Sequence, residues 1–420
     1  MSLAEGFAER FSKVEKLDIV SYDEPTSFLK SDHSLQELQS MDFYNKIGFV
    51  LYGSVKQRLQ QKELPGKCQY LILEGCRFPV KLEQALQSLS FLRGITIRES
   101  KEIKLFPEAG LPSQLRFIDI DKCDALQSLP MAWMHSSNTS LEELSIKNCD
   151  SLKCIARVQL HSNLKRLEIK YCSNLLTVLD EEVSGSCMNT SCLEKLKIED
   201  CPSLTSLWSS SGNLPKALRY LSIKKCSKLE SIAKGFHDNT KLEELDIVDC
   251  EKLVTLPCFN NLISLKKLKI RNCPATVSIP EGGFPTSLTS LVILKTNICK
   301  SLFDWGLHRL LSLELLGIGG CLDVISFPQE AGMILLPTSL TSLVIWDFPN
   351  LERLSSIAQN LTCLEKLSIW NCPKLKYFPD DGLPQSLKQL GILGCPLLEE
   401  RCKEGEGLYW SMIAHLSGWT

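Results

Sequence analysis

The sequence predicts an α/β repeat solenoid in which each repeat adds one short strand to a parallel β-sheet. Leucine, isoleucine and cysteine recur in the unit L-x-x-L-x-[IL]-x-x-C-x-x-L, which runs cleanly from Leu141 to Leu152. Copies of the unit return every 23 to 29 residues, with a mean of 24.5 between Cys68 and Leu387. A period of roughly 20–50 residues indicates stacked repeats, since one unit cannot bury its leucines alone.

This unit is the signature of the leucine-rich repeat. Side chains alternate along a strand, so the second and third apolar positions point inward and the residues between them face outward. The outward residues line the concave side of the predicted horseshoe. Proline and glycine between the strands block long helices, which predicts loops and short 3-10 turns on the convex side. Fourteen units are predicted to start at Cys68, Leu92, Leu115, Leu141, Leu164, Leu193, Leu218, Leu242, Leu265, Leu288, Leu313, Leu340, Leu364 and Leu387.

Cysteine marks the end of each strand, at what we call the ladder position. A small thiol fits this tight inward turn and can donate weakly to a backbone carbonyl of a neighbouring unit, so these cysteines are predicted to be buried and reduced. Three units carry Ser100, Thr296 and Phe348 there, and we expect them to be locally irregular. Eleven of the 19 cysteines occupy the ladder position, namely Cys76, Cys123, Cys149, Cys172, Cys201, Cys226, Cys250, Cys273, Cys321, Cys372 and Cys395.

The two ends depart from the repeat. Residues 1–66 are predicted to be degenerate N-terminal repeats, with a partial unit around Leu17 and a strand from Ile47 to Tyr52. Residues 67–398 form the predicted array, and residues 399–420 a predicted C-terminal cap. A short helix from about Leu408 to Leu416 would cover the last open edge of the sheet.

Several classes of protein are excluded by what the sequence lacks. The formal net charge is −2, without the basic excess of a nucleic-acid binder. The N-terminus has no signal-peptide pattern and no apolar run reaches the length of a membrane span, which predicts a cytoplasmic protein, with the nucleus as an alternative. There is no Cys-x-x-Cys pair for zinc, and the six histidines share no repeat position, so we expect no cofactor and no enzyme activity.

The outward strand positions predict where a partner binds. Their first half mixes charges, whereas Lys267, Lys269 and Arg271 form a basic strip beside the acidic Glu244 and Asp246. The C-terminal third is apolar, with two tryptophans in the same column of neighbouring units, and exposed aromatic residues are typical of interface hot spots. Two alternatives stay open: the cap or a convex loop covers the apolar residues, and the basic strip is only a solvated face. The predicted partner-binding residues are Val292, Leu294, Leu315, Val344, Trp346, Lys366, Trp370, Leu393, Lys267, Lys269 and Arg271.

The C-terminal segment carries the most specific resemblance. The repeats, the convex pattern F-P-x-x-G-L-P-x-S-L and the stretch C-P-L-L-E-E-R-C-K-E-G-E-G-x-Y-W-x-x-I-A-H from Cys395 to His415 resemble the leucine-rich repeat region of plant coiled-coil NBS-LRR disease-resistance proteins. The resemblance covers roughly residues 67–416. It implies binding of a pathogen effector or a guarded host protein, and restraint of an NB-ARC domain in the same or another chain.

The resemblance does not extend to nucleotide binding, because the sequence has no G-x-x-x-x-G-K-[ST] P-loop. The start without an NB-ARC domain predicts a truncated or excised receptor. An F-box adaptor of a ubiquitin ligase is the alternative, and it requires a helix bundle in residues 1–60 and longer convex helices. An extracellular receptor would need a signal peptide and L-x-G-x-[IL]-P units, neither of which is present.

Overall fold

The structure is a computed structural model that divides into two compact units, unit 1 at residues 1–211 and unit 2 at residues 212–420. The predicted domain boundaries at residues 66 and 398 stay predictions. The structure describes residues 16–18, 48–52, 69–75, 90–106, 108, 110–135, 140–157, 159–180, 192–208, 214–233, 241–254, 256, 258–259, 261–276, 279, 282–296, 298, 301–302, 305–328, 336–355 and 361–417.

Unit 1 holds eight parallel strands that follow one another in chain order. A single five-residue helix, α1, interrupts the described part of this unit. The strands and the helix are β1 (Lys16–Asp18), β2 (Gly48–Tyr52), β3 (Tyr70–Glu74), β4 (Gly94–Arg98), β5 (Phe117–Asp121), α1 (Met131–His135), β6 (Glu143–Lys147), β7 (Arg166–Lys170) and β8 (Lys195–Glu199).

Unit 2 likewise holds eight parallel strands in chain order, with a separate pair, β14 and β16, between later repeats. Each predicted repeat has its strand at the expected place, so the leucine-rich repeat solenoid is confirmed in each unit. The elements are β9 (Tyr220–Lys224), β10 (Glu244–Val248), β11 (Lys267–Cys273), β12 (Ser290–Thr296), a 3-10 helix (Leu307–Arg309), β13 (Leu315–Gly319), β14 (Ser326–Phe327), β15 (Ser342–Trp346), β16 (Arg353–Leu354), β17 (Lys366–Trp370), β18 (Gln389–Leu393), α2 (Pro396–Cys402) and α3 (Trp410–Ile413).

The core consists of the repeat leucines and isoleucines. In the repeat that starts at Leu141, the side chains of Leu141, Leu144 and Ile146 are at most 2% exposed. The register stacks equivalent positions on each other, so that Leu144 lies beside Leu167 of the next repeat. Each buried leucine contributes about 2–3 kcal/mol relative to exposure, and the stack buries them in every described repeat. These positions therefore fix which strand residues face outward.

A left-handed residue precedes the ladder position in all fourteen repeats. Three of these residues are glycines and eleven are not, Asn148 with φ 51° being typical. The Asn148 N–H donates to the Lys170 carbonyl of the next repeat at 3.0 Å. The three repeats expected to be irregular keep this turn, with positive φ at Glu99, Lys295 and Asp347, so that expectation is wrong here. Backbone hydrogen bonding, more than the thiol, sets the turn.

The ladder cysteines are buried thiols, as predicted, with one exception and with Cys76 outside the described residues. Cys149 donates to the Lys147 carbonyl of its own repeat at 3.2 Å, and Cys123, Cys250 and Cys395 also reach a carbonyl of the preceding repeat. Cys321 is half-buried, and the next repeat places Phe348, fully buried, at this position. Nine cysteines are fully buried with such a bond, namely Cys123, Cys149, Cys172, Cys201, Cys226, Cys250, Cys273, Cys372 and Cys395.

The convex P-x-S-L motif forms a turn that ties neighbouring repeats together. The Ser287 hydroxyl donates to the Leu265 carbonyl of the preceding repeat at 2.8 Å. Ser339 and Ser386 make the equivalent bond at the same distance. The serine of the motif is therefore a link between repeats, a role that the sequence pattern alone did not indicate.

The ends of the chain agree with the sequence in outline. The strand expected from Ile47 to Tyr52 is β2, and Leu17 lies in β1, while the remainder of residues 1–66 is outside the described residues. Helix α3 lies inside the predicted 408–416 helix but is shorter, and α2 was not predicted. Ser417 exchanges backbone hydrogen bonds with Lys388 and Leu390, beside the last strand.

Candidate binding surface

The first, third and fifth residues of each strand in unit 2 face outward. In the first five residues of β11 and in β15 the burial alternates, with the second and fourth residues buried and the first, third and fifth exposed or half-buried. Since the strands are in register, the outward residues form three columns across the sheet. The predicted partner-binding residues all lie on this outward face.

Trp346 and Trp370 meet edge to face in the third column. The two residues are direct register partners in β15 and β17. Their ring centroids are 5.9 Å apart with an interplanar angle of 80°, the T-shaped arrangement that aromatic pairs favour. Trp370 is 37% exposed and Leu393, the next residue in the column, is 62% exposed. We call Trp346, Trp370 and Leu393 the Trp patch.

Trp346 also contacts a cation on the other side of the column. The Arg271 guanidinium lies 5.1 Å from the Trp346 ring centroid, a cation–π contact. The register places Leu294 and Gly319 between these two residues. Leu294 is only 5% exposed, because Arg271 and Trp346 close over it. Leu294 is therefore buried beneath its neighbours, which its column position could not reveal, and its role as a partner-binding residue stays a prediction.

Glycines in β13 make room for this arrangement. A Cβ at Gly319 would collide with the backbone carbonyl of Trp346. A Cβ at Gly317 would stand 3.2 Å from a methyl group of Val292, which fills the space beside it. The two glycines at outward positions were the sequence signal for this close packing.

The charged part of the face is partly neutralised. Lys267 forms an ion pair with Glu244 at 2.7 Å, and this hydrogen bond raises the pKa of Lys267. Asp246 pairs with Lys224 at 3.0 Å. Lys269 has no ion-pair partner among the described residues. The three cations of the predicted basic strip therefore differ: Lys267 is ion-paired, Arg271 lies over the Trp346 ring, and Lys269 is free of ion pairs in this part of the chain.

The remaining predicted residues lie where a partner could reach them. Val292, Leu315 and Val344 are half-buried, and Lys366 is exposed at the start of β17. Together with the Trp patch they make a contiguous surface on strands β12 to β18.

The cap does not cover the Trp patch within the described residues. Arg401 of α2 lies over the Tyr377 ring at 4.7 Å, and Tyr409 contacts Phe378 at 5.0 Å between ring centroids. Those contacts lie beyond the ladder positions, away from the outward strand residues. Residues 418–420, with Trp419, are outside the described residues. The alternative of a covering cap is thus disfavoured by the exposure of Trp370 and Leu393.

The outward face of unit 1 has the mixed charge that the sequence predicts. Lys170 lies 3.1 Å from Glu168 and 3.5 Å from Glu199. Asp119 is nearly buried between Arg98 and Lys147, at 3.8 Å and 3.6 Å. The charges in these groups bind one another, and two outward aromatic residues of this face, Tyr70 and Phe117, stand on either side of Gly94.

Chemically reactive groups are not assembled into a site in the described part of the chain. No group of three or more His, Cys, Asp or Glu side chains there could hold a metal ion. Burial raises the pKa of the Cys402 thiol to about 12, and burial also raises the pKa of the Cys154 thiol. Among the helices that the structure describes, none is long and apolar enough to cross a membrane.

The repeats are similar in sequence to those of known proteins. A family model described as plant disease resistance protein RPS2-like, leucine-rich repeats, matches residues 85–251. A disease resistance protein of Arabidopsis thaliana is 34% identical over 328 residues, which cover 72% of this chain and 23% of that protein. The repeats are of the plant disease-resistance type. Disease resistance protein RPP5 of the same plant is 27% identical, covering 76% of this chain and 24% of RPP5.

The disease-resistance repeats span about a quarter of the length of these curated relatives. Among solved structures, the leucine-rich repeat domain of the type III effector XopL aligns with a TM-score of 0.41 and 18% identity, over 66% of this chain and 89% of that domain.

Proposed function

We propose that the disease-resistance repeats are the protein-recognition module of a plant immune receptor. In this proposal the outward face of unit 2 binds a protein ligand, either a pathogen effector or a host protein that the receptor guards. The observation that carries the proposal is the exposed Trp patch, because Trp370 and Leu393 remain open on a sheet face whose neighbouring apolar side chains are half-buried. Accessible aromatic residues of this kind dominate the energy of protein interfaces.

A second part of the proposal concerns an intact receptor. The relatives are disease resistance proteins about four times as long as the part that this chain matches. We propose that the repeats restrain an NB-ARC domain, of the same or another chain, until a ligand shifts the balance between two states. We also propose a cytosolic or nuclear location, which suits the reduced thiols of the ladder.

The F-box adaptor is not favoured. It requires a helix bundle in residues 1–60, where the structure instead has the strands β1 and β2 paired in parallel. The relatives reported above are disease resistance proteins.

The experiment is a differential pull-down from plant extract. Wild-type protein is compared with a variant carrying Trp346→Ala and Trp370→Ala, and with a control carrying Ile263→Ala and Leu311→Ala. The control side chains are 70% and 77% exposed and lie outside the outward strand positions. We expect a protein captured by the wild type and by the control but lost with the tryptophan variant. Equal capture by all three would contradict the proposal.

A further inference from the structure

We infer that the ligand presents an acidic and apolar segment to unit 2, with carboxylates on both sides of aliphatic or aromatic side chains. This inference rests on the proposed function, since it assigns a chemistry to the partner of the same surface. Three features of the outward face carry it: the net charge, the position of the cations without ion pairs, and the apolar strands between them.

The outward face of unit 2 is basic although the whole chain is slightly acidic. Its outward strand positions carry five cations and two carboxylates, a net charge of +3. The corresponding positions of β3 to β8 in unit 1 carry six of each, a net charge of zero. The positive charge is therefore a property of the face that also carries the Trp patch. The five cations are Lys224, Lys267, Lys269, Arg271 and Lys366, and the two carboxylates are Glu244 and Asp246.

Both carboxylates of this face are already engaged. Glu244 binds Lys267 and Asp246 binds Lys224, at 2.7 and 3.0 Å. Lys269 and Lys366 have no ion-pair partner among the described residues. A ligand that brings carboxylates to these two ammonium groups breaks no existing ion pair, whereas a basic ligand would meet uncompensated repulsion.

The two unpaired lysines stand on either side of the apolar strands. Lys269 lies on β11 and Lys366 on β17, with β12, β13 and β15 between them in the sheet. At about 4.8 Å per strand this separates their backbones by roughly 20 Å, which an extended segment of about six residues spans. The side chains between them are uncharged and include Val292, Leu315 and Val344, all half-buried. The ligand segment thus has carboxylates about six residues apart with apolar residues between.

A protein segment fits this surface better than a single-stranded nucleic acid. Nucleic-acid grooves follow the backbone with a continuous track of cations and stack each base on an aromatic ring. Here the outward positions of the three strands between the two lysines hold no cation. They carry aliphatic side chains, two serines, two glycines and Trp346, whose ring already contacts Arg271 and Trp370. The centre of this surface therefore offers apolar contacts and no cation for a phosphate.

The test is a selection of random 12-residue peptides displayed on phage against the full chain. The enriched peptides are then measured as synthetic fluorescent peptides against three variants. One carries Lys269→Glu and Lys366→Glu. The matched control carries Lys104→Glu and Lys252→Glu, which make the same charge change at exposed lysines outside the outward strand positions. The third carries Trp346→Ala and Trp370→Ala.

We expect enriched peptides with an excess of Asp and Glu around apolar residues, bound roughly tenfold or more weakly by the Lys269→Glu and Lys366→Glu variant and normally by the control. Their affinity should fall as NaCl rises, since exposed charges are screened. Neutral or basic peptides that still depend on the tryptophans would overturn the charge assignment and leave the proposed surface intact. Peptides indifferent to the tryptophans, or no enrichment, would overturn both. Tighter binding of a 12-nucleotide single strand than of any peptide would overturn the assignment to a protein segment.

Discussion

At the scale of single residues, each repeat turns at a left-handed residue just before the ladder position. Tyr171, with φ 55°, is one of eleven non-glycine residues there. Left-handed backbone costs an L-residue about 1–2 kcal/mol, and the hydrogen bond from the Tyr171 N–H to the Glu199 carbonyl at 2.9 Å is part of what offsets it. Gly, Asn and Asp, which tolerate left-handed backbone best, occupy nine of the fourteen positions, and Lys, Glu and Tyr occupy the other five. The sequence therefore carries a signal for this turn that the leucine and cysteine pattern did not use.

We predict that Tyr171→Gly is more stable than Tyr171→Ala by about 1 kcal/mol, because only the backbone preference differs between the two variants. Urea unfolding followed by circular dichroism measures the difference. At Lys197, in the middle of β8, the order should reverse, with glycine about 0.5–1 kcal/mol below alanine. Alanine equal to or above glycine at Tyr171 would show that the left-handed turn is not strained.

At the scale of elements, strand β13 decides how the predicted surface is shaped. Its outward glycines let Trp346 and Val292 approach, and the closure of Arg271 and Trp346 over Leu294 follows from that approach. The alternation of residues along each strand predicts which face of the sheet a residue lies on. It does not predict in which direction a long side chain extends across neighbouring strands. For this reason the position of Leu294 was predicted correctly and its exposure was not.

We predict that Gly319→Ala destabilises the protein by about 2–3 kcal/mol, since the added methyl group meets the Trp346 carbonyl and the backbone must shift. Gly391→Ala is the matched control, because its methyl group would stand 3.8 Å from its nearest neighbour, the Ser368 hydroxyl. Thermal unfolding of both variants checks this. Equal stability of the two variants would contradict the close packing at β13.

At the scale of the whole chain, the repeat period was enough to predict the strand of each of the fourteen repeats, but not the short pair β14 and β16. Leu144 and its equivalents are buried because they stack on one another in register, and this stacking requires leucines at regular spacing in the sequence. Helix α2 was not predicted. It begins at Pro396, and the same Cys-Pro pair at the ladder position begins a turn in other repeats. The cation–π contact of Arg271 and the pairing of Lys267 depend on side-chain reach across strands, which no spacing along one repeat contains.

The C-terminal segment is predicted to protect the last strand of the sheet. Ile413 is fully buried in α3, whereas Ser411 of the same helix is exposed. Ile413→Asp should lower stability by at least about 3 kcal/mol, because an unpaired carboxylate is costly to bury, and freeing the edge of β18 should promote self-association. Ser411→Asp introduces the same charge and should change neither property. Thermal unfolding and sedimentation velocity measure both, and indistinguishable variants would mean that the segment does not cap the sheet.

The central claim is that a protein ligand covers the outward face of unit 2. Hydroxyl-radical footprinting with mass spectrometry tests it most directly, by comparing oxidation of the chain alone and with the partner captured in the pull-down. We predict that Trp370 and Leu393, now 37% and 62% exposed, are protected by the partner, while Leu311, at 77% exposed, is oxidised equally in both states. Protection confined to unit 1 or to residues outside the outward strand positions, with Trp370 as reactive as in the free chain, would contradict the claim.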